Sequence, residues 1–275
     1  MAKKKTTKLP ASKNRKTLSP WVKIPLWVLL VLSVLLVGFE NKKYIRRAYR
    51  HFVHRYNKTT WRPTDFPASY EIHGIDVSHY QDDIDWKKLQ AIDSYGDTIQ
   101  FSFAYIKATE GMLTEDAMFD EYWEDAKDAG VHRGAYHYFL PDRSASLQAT
   151  NFITSVQLKP GDLPPVVDIE EPRGKKKEDV VKSLREMLLK LEAHYKVKPV
   201  IYSNINFIED YLSEDFSDYK FWVAHYYQDD IKPDENIRWL FWQHNDKADL
   251  RGIKGRVDAN VFNGDAYDFE KLLVK

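Results

Sequence analysis

The sequence predicts an α/β protein, a TIM-like (β/α)5(β)3 barrel that forms a single domain behind an N-terminal transmembrane helix. Three observations predict this fold. Short segments rich in aromatic and β-branched residues alternate with helix-like segments from residue 70 onward. After the fifth strand the helices become short or disappear, and three further strands follow with loops between them. Residues 24–39 carry no charge and precede the alternating body.

An open, doubly wound sheet is the alternative architecture for alternating strands and helices. Such sheets commonly carry glycine-rich phosphate-binding loops. The sequence contains neither G-x-G-x-x-G nor G-x-x-x-x-G-K-S/T. We therefore expect the closed barrel.

Strands of the body are predicted where apolar runs are short, aromatic and β-branched, at 72–77, 99–106, 133–139, 165–169, 199–203, 220–225, 237–243 and 256–261. The first helix is predicted at 85–95, because Asp85 is a good N-cap and Trp86, Leu89 and Ile92 are spaced by three. Further helices are predicted at 115–129, 143–157, 177–195, 206–212 and 265–274.

Charge and composition exclude several classes of protein. The 275 residues include 41 Lys and Arg, 41 Asp and Glu, and no cysteine. Residues 1–60 hold 15 of the bases and one acid, Glu40, whereas the remainder holds 26 bases and 40 acids. A short basic tail before an acidic body does not suit a protein that coats nucleic acid. A sequence without cysteine has no disulfide scaffold, thiolate metal site or cysteine nucleophile.

The chain divides into four predicted segments: a disordered basic tail at 1–20, a transmembrane signal anchor at 21–40, a basic linker at 41–69, and the body at 70–275. No small-residue cleavage site follows the apolar run, which favours an uncleaved anchor. A buried helix of a soluble protein is the alternative, but nothing amphipathic accompanies the run. Eight bases precede it and six follow closely, a small bias towards a cytoplasmic N-terminus.

Carboxylates collect near the ends of the predicted strands. Asp76 ends the first strand, Asp168 and Glu170 end the fourth, and Asp258 lies on the eighth. In barrels of this kind, functional groups lie at the C-terminal ends of the strands, so the four acids are expected in one place. Crowded carboxylates cannot all ionise freely, so one is expected to retain its proton near neutral pH. A retained proton beside an ionised acid is what cleavage of a glycosidic bond requires.

Aromatic residues surround these acids in the sequence. Their rings suit stacking on sugars, although core packing is the favoured interpretation for Tyr105 and Phe139. The aromatic set is Tyr105, Tyr136, Tyr138, Phe139, Tyr202, Trp222, Tyr226 and Trp242.

Ordered motifs in the body resemble those of the family 25 glycoside hydrolases, which are muramidases (lysozymes). The first motif is His73-Gly74-Ile75-Asp76-Val77-Ser78 with Gln81 and Ile84-Asp85-Trp86. The motifs that follow, in the family's order, are Tyr105-Ile106-Lys107-Ala108-Thr109-Glu110-Gly111, Ala129-Gly130, Gly134-Ala135-Tyr136-His137-Tyr138-Phe139, Asp168-Ile169-Glu170, Trp222-Val223-Ala224, Trp242-Gln243 and Val257-Asp258. The resemblance spans about 72–262 and implies that the body is a single catalytic domain.

The resemblance implies hydrolysis of the β-1,4 bond between N-acetylmuramic acid and N-acetylglucosamine in peptidoglycan glycan strands. Glu170 would be the general acid/base, and Asp168 would orient the substrate's N-acetyl group or a water. Asp76 and Asp258 would hold the reacting sugar. The implied mechanism is substrate-assisted, with net retention. Tyr136, Tyr202 and Trp222 would contact sugar, and Tyr105, His137 and Trp242 complete the candidate substrate-binding set.

Two other functions remain open from the sequence. A metal-dependent peptidoglycan amidase or deacetylase would need ligands from His73, Asp76, His79, His132 and His137, but no H-E-x-x-H is present. A non-catalytic glycan-binding module would keep the aromatics without needing the four acids. We expect no metal and no cofactor. We expect membrane lipid to be contacted through 21–40, with the body outside the cytoplasmic membrane.

Overall fold

The structure is a computed structural model that describes residues 66–67, 69–92, 97–228 and 230–275. Ten strands form one connected sheet. In chain order they are β1 (His73–Val77), β2 (Gln90–Ile92), β3 (Thr98–Glu110), β4 (Thr114–Glu115), β5 (His132–Tyr138), β6 (Val166–Asp168), β7 (Val200–Asn204), β8 (Lys220–Ala224), β9 (Trp239–Ala248) and β10 (Val257–Phe262).

Eight of these strands close into a barrel. Strands β1, β3, β5, β6, β7, β8 and β9 pair in parallel in that order. Strand β10 then closes the ring, because it pairs antiparallel with both β9 and β1. The short strands β2 and β4 pair with β3 outside the ring. The C-terminal ends of seven strands therefore meet the N-terminal end of β10 at one end of the barrel, here called the mouth.

Five α-helices lie within the described residues: α1 (Phe119–Asp128), α2 (Ala145–Ser155), α3 (Lys177–Tyr195), α4 (Ile205–Phe207) and α5 (Ala266–Leu272). A π-helical turn, Ile208–Leu212, continues α4. The longest helix, α3, buries apolar residues at helical spacing, among them Val180, Leu184 and Leu191. The helix bounds agree with most of the predicted segments to within a few residues.

The predicted helix at 85–95 is wrong. Trp86–Lys88 form a single 3₁₀ turn, and the chain continues as strand β2. The Asp85 carboxylate gives no cap hydrogen bond and pairs with Lys88 at 2.5 Å. Ile92, expected on the buried face, is 46% exposed. Pairing with β3 on one side and a bridge to Arg251 on the other give these residues extended backbone partners, which outweigh a weak helical period.

The barrel interior is packed with aromatic rings below the mouth. Phe103, Tyr105, Trp222 and Phe241 are buried and contact one another. Helix α5 covers the opposite end, where its Phe269 packs on Phe103. A second apolar cluster fills the space between the strands and the surrounding helices. The interior is therefore a solid core that supports the mouth.

The predicted basic tail, the anchor at 21–40 and most of the linker lie outside the described residues. Within the part of the chain that the structure describes, no helix is both long and apolar enough to cross a membrane. Phe66, assigned to the linker from the sequence, is buried against His73, Phe101 and His244. The described chain therefore enters the core before residue 70.

Candidate active site

The four predicted acids lie together at the mouth. Asp76 is near the end of β1, Asp168 is the last residue of β6, and Glu170 follows two residues later. Asp258 faces Asp76 as its direct partner across the β1–β10 pair. The side chains of Asp76 and Asp258 hydrogen-bond, as do those of Asp168 and Glu170. Four carboxyl groups from three strands therefore meet in one site.

Asp258 reaches the mouth for a reason that the sequence did not predict. The rule that functional residues lie at the C-terminal ends of strands holds for Asp76 and Asp168. Asp258 is instead the second residue of β10, and it lies at the mouth because β10 runs antiparallel to β1.

Two amide side chains hold Asp76. Its Oδ2 accepts hydrogen bonds from Gln243 Nε2 at 2.8 Å and from Asn260 Nδ2 at 2.7 Å. Asp76 and both amides are at least nine-tenths buried. The two donors fix this carboxylate and favour its charged form.

The amides are in turn oriented by aromatic side chains. The Tyr202 and Tyr226 hydroxyls both donate to Gln243 Oε1, at 2.7 and 2.8 Å. The Trp222 indole donates to Asn260 Oδ1 at 2.8 Å. Because each amide oxygen is occupied by a donor, each amide nitrogen must point at Asp76. Tyr202 and Trp222, predicted to contact sugar, are both buried and serve at least to orient these amides.

Burial raises the pKa of all four acids. It is the largest cause in each, and it lifts the pKa of Asp76 to about 6 and that of Asp258 to about 9. The pKa of Asp168 is raised well above its ordinary value, with the negative charge of Glu170 as the second cause. Glu170 is exposed as a residue, but neighbouring atoms partly desolvate its carboxyl, and this desolvation raises its pKa, followed by the charge of Glu171. With a pKa of about 9, Asp258 retains its proton at neutral pH.

Glu170 differs from the other acids in its access to solvent. Asp76 and Asp168 are buried, whereas Glu170 lies exposed at the rim of the mouth. Asp168 Oδ1 is buried with no hydrogen-bond partner among the described residues. Glu170 is thus open to an incoming ligand, and Asp168 Oδ1 is an acceptor that a ligand donor could satisfy.

Lys107 provides a positive charge beside the acids. Its ammonium lies 2.7 Å from Glu110 Oε2 and 5.2 Å from the centre of the Tyr138 ring. This charge opposes the upward shift in the pKa of both Asp168 and Glu170. Lys107 belongs to one of the sequence motifs, but it was not among the predicted site residues.

Tyr136 is the predicted sugar contact that remains partly exposed at the acids. It is on β5, and the charges of Asp76, Asp168 and Asp258 add to burial in raising its pKa. Its hydroxyl is therefore neutral and can both donate and accept a hydrogen bond.

Three predicted substrate-binding residues lie away from the mouth. Tyr105 is fully buried in the barrel core, stacks on Trp222 and donates to the Pro164 carbonyl at 3.2 Å. His137 is fully buried, and its ring contacts Thr109 at 2.7 Å and Gln148 of α2 at 3.2 Å. Trp242 is fully buried and donates to the His225 carbonyl. Neither His137 nor Trp242 faces the barrel interior, because side chains alternate along a strand and their neighbours Tyr136 and Gln243 do.

The candidate metal ligands are dispersed. His79 pairs with Asp116 at 2.6 Å, His137 faces α2, and His132 contacts Gly161. Within the described ranges, no group of three or more His, Asp or Glu side chains is arranged to hold a metal ion. Among the described residues, the histidines proposed as metal ligands for an amidase or deacetylase therefore do not meet in one group.

Glu170 is ionisable and open to solvent, and it lies beside acids with raised pKa values. A carboxyl group so placed can protonate the leaving oxygen of a glycosidic bond and then activate a water. Sequence reasoning did not assign Gln243, Asn260 or Lys107 to this site. All three lie in or next to the motifs, but the bonds of Gln243 and Asn260 to Asp76, and the effect of the Lys107 charge on Asp168 and Glu170, join segments far apart in the chain.

Known proteins are similar to this chain in sequence and in fold. The model of the family described as "Glycosyl hydrolases family 25" matches residues 75–253, and Asp258 lies just beyond that match. Lysozyme M1 of Streptomyces globisporus is 32% identical over 209 residues, which cover 71% of this chain and 69% of that protein. The Escherichia coli K12 protein YegX is 44% identical over 209 residues, 75% of either chain.

A solved family 25 glycosyl hydrolase from Bacillus anthracis matches the fold with a TM-score of 0.68 at 31% identity, covering 78% of this chain and 98% of that one. A lysozyme structure from Streptomyces coelicolor matches with a TM-score of 0.65, also at 31% identity. The family match covers more than half of the chain, and Asp76, Asp168 and Glu170 lie within it. The chain therefore belongs to family 25 of the glycosyl hydrolases.

Proposed function

We propose that this glycoside hydrolase is a membrane-anchored muramidase that hydrolyses the β-1,4 bond between N-acetylmuramic acid and N-acetylglucosamine in peptidoglycan. The observation that carries the proposal is the meeting of Asp76, Asp168, Glu170 and Asp258 at the barrel mouth, where burial raises the pKa of each. Relatives named lysozymes, from Streptomyces globisporus and Clostridium acetobutylicum, support a bacterial wall substrate.

In the proposed mechanism, Glu170 acts first as an acid. Its exposed position and raised pKa suit a group that must be protonated when the substrate arrives. It gives its proton to the glycosidic oxygen as the bond from that oxygen to the anomeric carbon breaks. The carbonyl oxygen of the substrate's own N-acetyl group bonds to the anomeric carbon and forms a cyclic intermediate.

Glu170 then acts as a base. It takes a proton from a water whose oxygen bonds to the anomeric carbon as the bond from that carbon to the N-acetyl oxygen breaks, and the N-acetyl group is restored. Two displacements at one carbon give net retention. Asp168, with a free acceptor at Oδ1, orients the N-acetyl group in the first step, and Asp76 and Asp258 hold the reacting sugar.

The proposal includes the architecture and the cellular location expected from the sequence. The catalytic domain would be a TIM-like (β/α)5(β)3 barrel outside the cell membrane, held by a single span at 21–40 with its N-terminus in the cytoplasm. A wall substrate supports this direction, because it lies outside the membrane.

Mass spectrometry of muropeptides released from purified peptidoglycan tests the proposed activity. Wild type should release fragments that end in reducing N-acetylmuramic acid, and NMR of the first product should show the β anomer. Glu170→Gln should abolish release, because an amide cannot donate the proton, and circular dichroism should show an unchanged fold. Glu186→Gln, an exposed change on α3, is the matched control and should behave as wild type.

Other products would replace the proposal with a different function. Reducing N-acetylglucosamine ends would identify a different glycosidase. Free stem peptides or released acetate would identify the amidase or deacetylase. Binding without cleavage by wild type would favour a glycan-binding module.

A further inference from the structure

Two exposed apolar side chains at the mouth have no role in the site described above. Tyr80, in the turn after β1, is 78% exposed, and Leu113, at the tip of the β3–β4 hairpin, is 89% exposed. Each follows the C-terminal end of a parallel strand, so both lie at the barrel end that carries the acids. An exposed apolar residue alone is ordinary, so the surroundings of Tyr80 decide whether it can bind a ligand.

The turn that presents Tyr80 is held on both sides. Asp116 accepts a hydrogen bond from the His79 backbone N–H at 3.0 Å and pairs with His79 Nδ1 at 2.6 Å. Gln81 hydrogen-bonds the Ser78 backbone and donates to the Arg256 carbonyl at 3.3 Å. The Tyr80 ring lies on the His79 ring, with centroids 4.1 Å apart. The turn is therefore held in place, and the Tyr80 ring rests against His79 while remaining open to solvent.

A recess of about 170 Å³ lies beside this turn. Its lining residues are polar or charged with one exception, and they are His79, Lys107, Glu110, Thr114, Glu115, Asp116 and Ala117. Lys107 connects the recess with the acids, because the same ammonium acts on Asp168 and Glu170. The recess is smaller than pockets that enclose a whole ligand, so it suits the polar substituents of an extended ligand.

We propose that Tyr80 is a stacking platform for a sugar of the glycan strand next to the reacting bond, with the substituents of that sugar facing the recess. This inference rests on the proposed function. A pyranose ring presents an apolar C–H face to an aromatic ring and polar groups at its edge, which match Tyr80 and the recess. Because Tyr80 has only two side-chain torsions and lies on a held turn, binding costs little conformational entropy.

The charges of the recess favour a glycan over an anionic lipid surface. Glu110, Glu115 and Asp116 supply three carboxylates against the ammonium of Lys107 and the imidazole of His79. An anionic headgroup would be repelled there, whereas the hydroxyl and amide groups of a sugar can donate to carboxylates.

Steady-state kinetics of the purified full chain in detergent test the proposal, with peptidoglycan strands as substrate. Tyr80→Ala should raise KM about five- to tenfold, the loss of one aromatic contact, with kcat within about twofold of wild type. Tyr80→Trp should restore the wild-type KM, because stacking needs a ring and not the hydroxyl. The control Tyr267→Ala, a 68% exposed tyrosine on α5 at the opposite end of the barrel, should leave KM unchanged.

Equal KM values for Tyr80→Ala and Tyr267→Ala would overturn the platform while leaving the proposed function intact. A fall in kcat alone would also overturn it, since that would place Tyr80 in the chemical step. A wild type that cleaves no glycan would instead overturn the proposed function. Matching melting temperatures for the variants would show that the comparison concerns folded protein.

Discussion

The carboxyl groups of Asp76 and Asp258 make the stability of the protein depend on pH. Folding raises the pKa of Asp76 from 3.8 to about 6 and that of Asp258 from 3.8 to about 9. Between its unfolded and folded pKa values, each acid binds more protons in the folded state than in the unfolded state. The free energy of unfolding therefore falls as pH rises through each window, and below about pH 4 both acids are protonated in either state.

Asp258→Asn should stabilise the protein at alkaline pH. The amide stays neutral, and its N–H can still donate to Asp76 as the protonated carboxyl does. We expect a gain of about 1–2 kcal/mol at pH 8, which in a domain of this size is roughly 2–8 °C in Tm, and no gain at pH 4. Differential scanning calorimetry of the variant and the wild type at pH 8 and pH 4 measures the difference in Tm.

The control for this change is Asp249→Asn, at an exposed loop position. Its Tm should follow that of wild type at both pH values. A Tm for Asp258→Asn that does not exceed the wild-type Tm at pH 8 would show that folding does not penalise the ionised acid at this position.

The direction and alternation of the strands decide which predicted residues form the site. Because side chains alternate along a strand, the sequence predicted that Asp168 and Glu170 point to the same side, and the structure brings them into contact. The same alternation places His137, which lies between Tyr136 and Tyr138, on the outer face of the barrel. The sequence therefore already argues against His137 as a sugar contact. Asp258 needed the antiparallel direction of β10, which no local pattern specifies.

Contacts between distant segments account for what could not be predicted. The bonds from Gln243 and Asn260 to Asp76 join residues 167 and 184 positions apart, so neither amide could be assigned from its neighbours. Apolar spacing predicted a helix at 85–95. Pairing of Gln90–Ile92 with β3, and the hydrogen bond that the Asp85 N–H donates to the Gly252 carbonyl, favour an extended chain in its described part. Most other strands and helices were predictable because the spacing of their apolar residues agrees with the way that they pack in the fold.

Strand β5 depends on the absence of a side chain at Gly134. A Cβ added there would lie 2.3 Å from the Tyr105 ring and 2.9 Å from Leu163 Cβ. Because Tyr105 is fully buried under Trp222, its ring cannot move without disturbing the aromatic core. Gly134→Ala should lower the free energy of unfolding by about 1–3 kcal/mol, as overpacking of a core does, and chemical denaturation measures the loss.

Gly130→Asn is the control for Gly134→Ala. Gly130 has a φ of +77° and no atom within 4 Å of an added Cβ, and asparagine tolerates this left-handed backbone better than other residues. Its effect on stability should be the smaller of the two. A Gly134→Ala variant as stable as wild type would show that the Tyr105 ring can shift, and that the core below the mouth is less rigid than its packing indicates.

At the scale of the whole molecule, the proposed topology places residues 1–20 and the catalytic domain on opposite sides of one membrane. The chain contains no cysteine, so a single introduced thiol is the only site for a maleimide reagent. Ser12→Cys marks the basic tail, and Ser217→Cys marks an exposed loop of the barrel before β8. Both changes are nearly isosteric.

With a membrane-impermeant maleimide and intact spheroplasts, Ser217→Cys should be labelled and Ser12→Cys should be labelled only after lysis. The physical reason is the predicted anchor at 21–40, in which the sixteen-residue uncharged run with Trp21 and Val22 approaches the length that crosses a bilayer, together with the small excess of bases before it. Ser203→Cys, at a fully buried position, should resist labelling until the protein is denatured, which controls for access within the fold. Labelling of Ser12→Cys in intact spheroplasts, with Ser217→Cys protected, would place the acids on the cytoplasmic side. There they would have no assembled wall to cut, and both the anchor orientation and the wall substrate would have to be abandoned together.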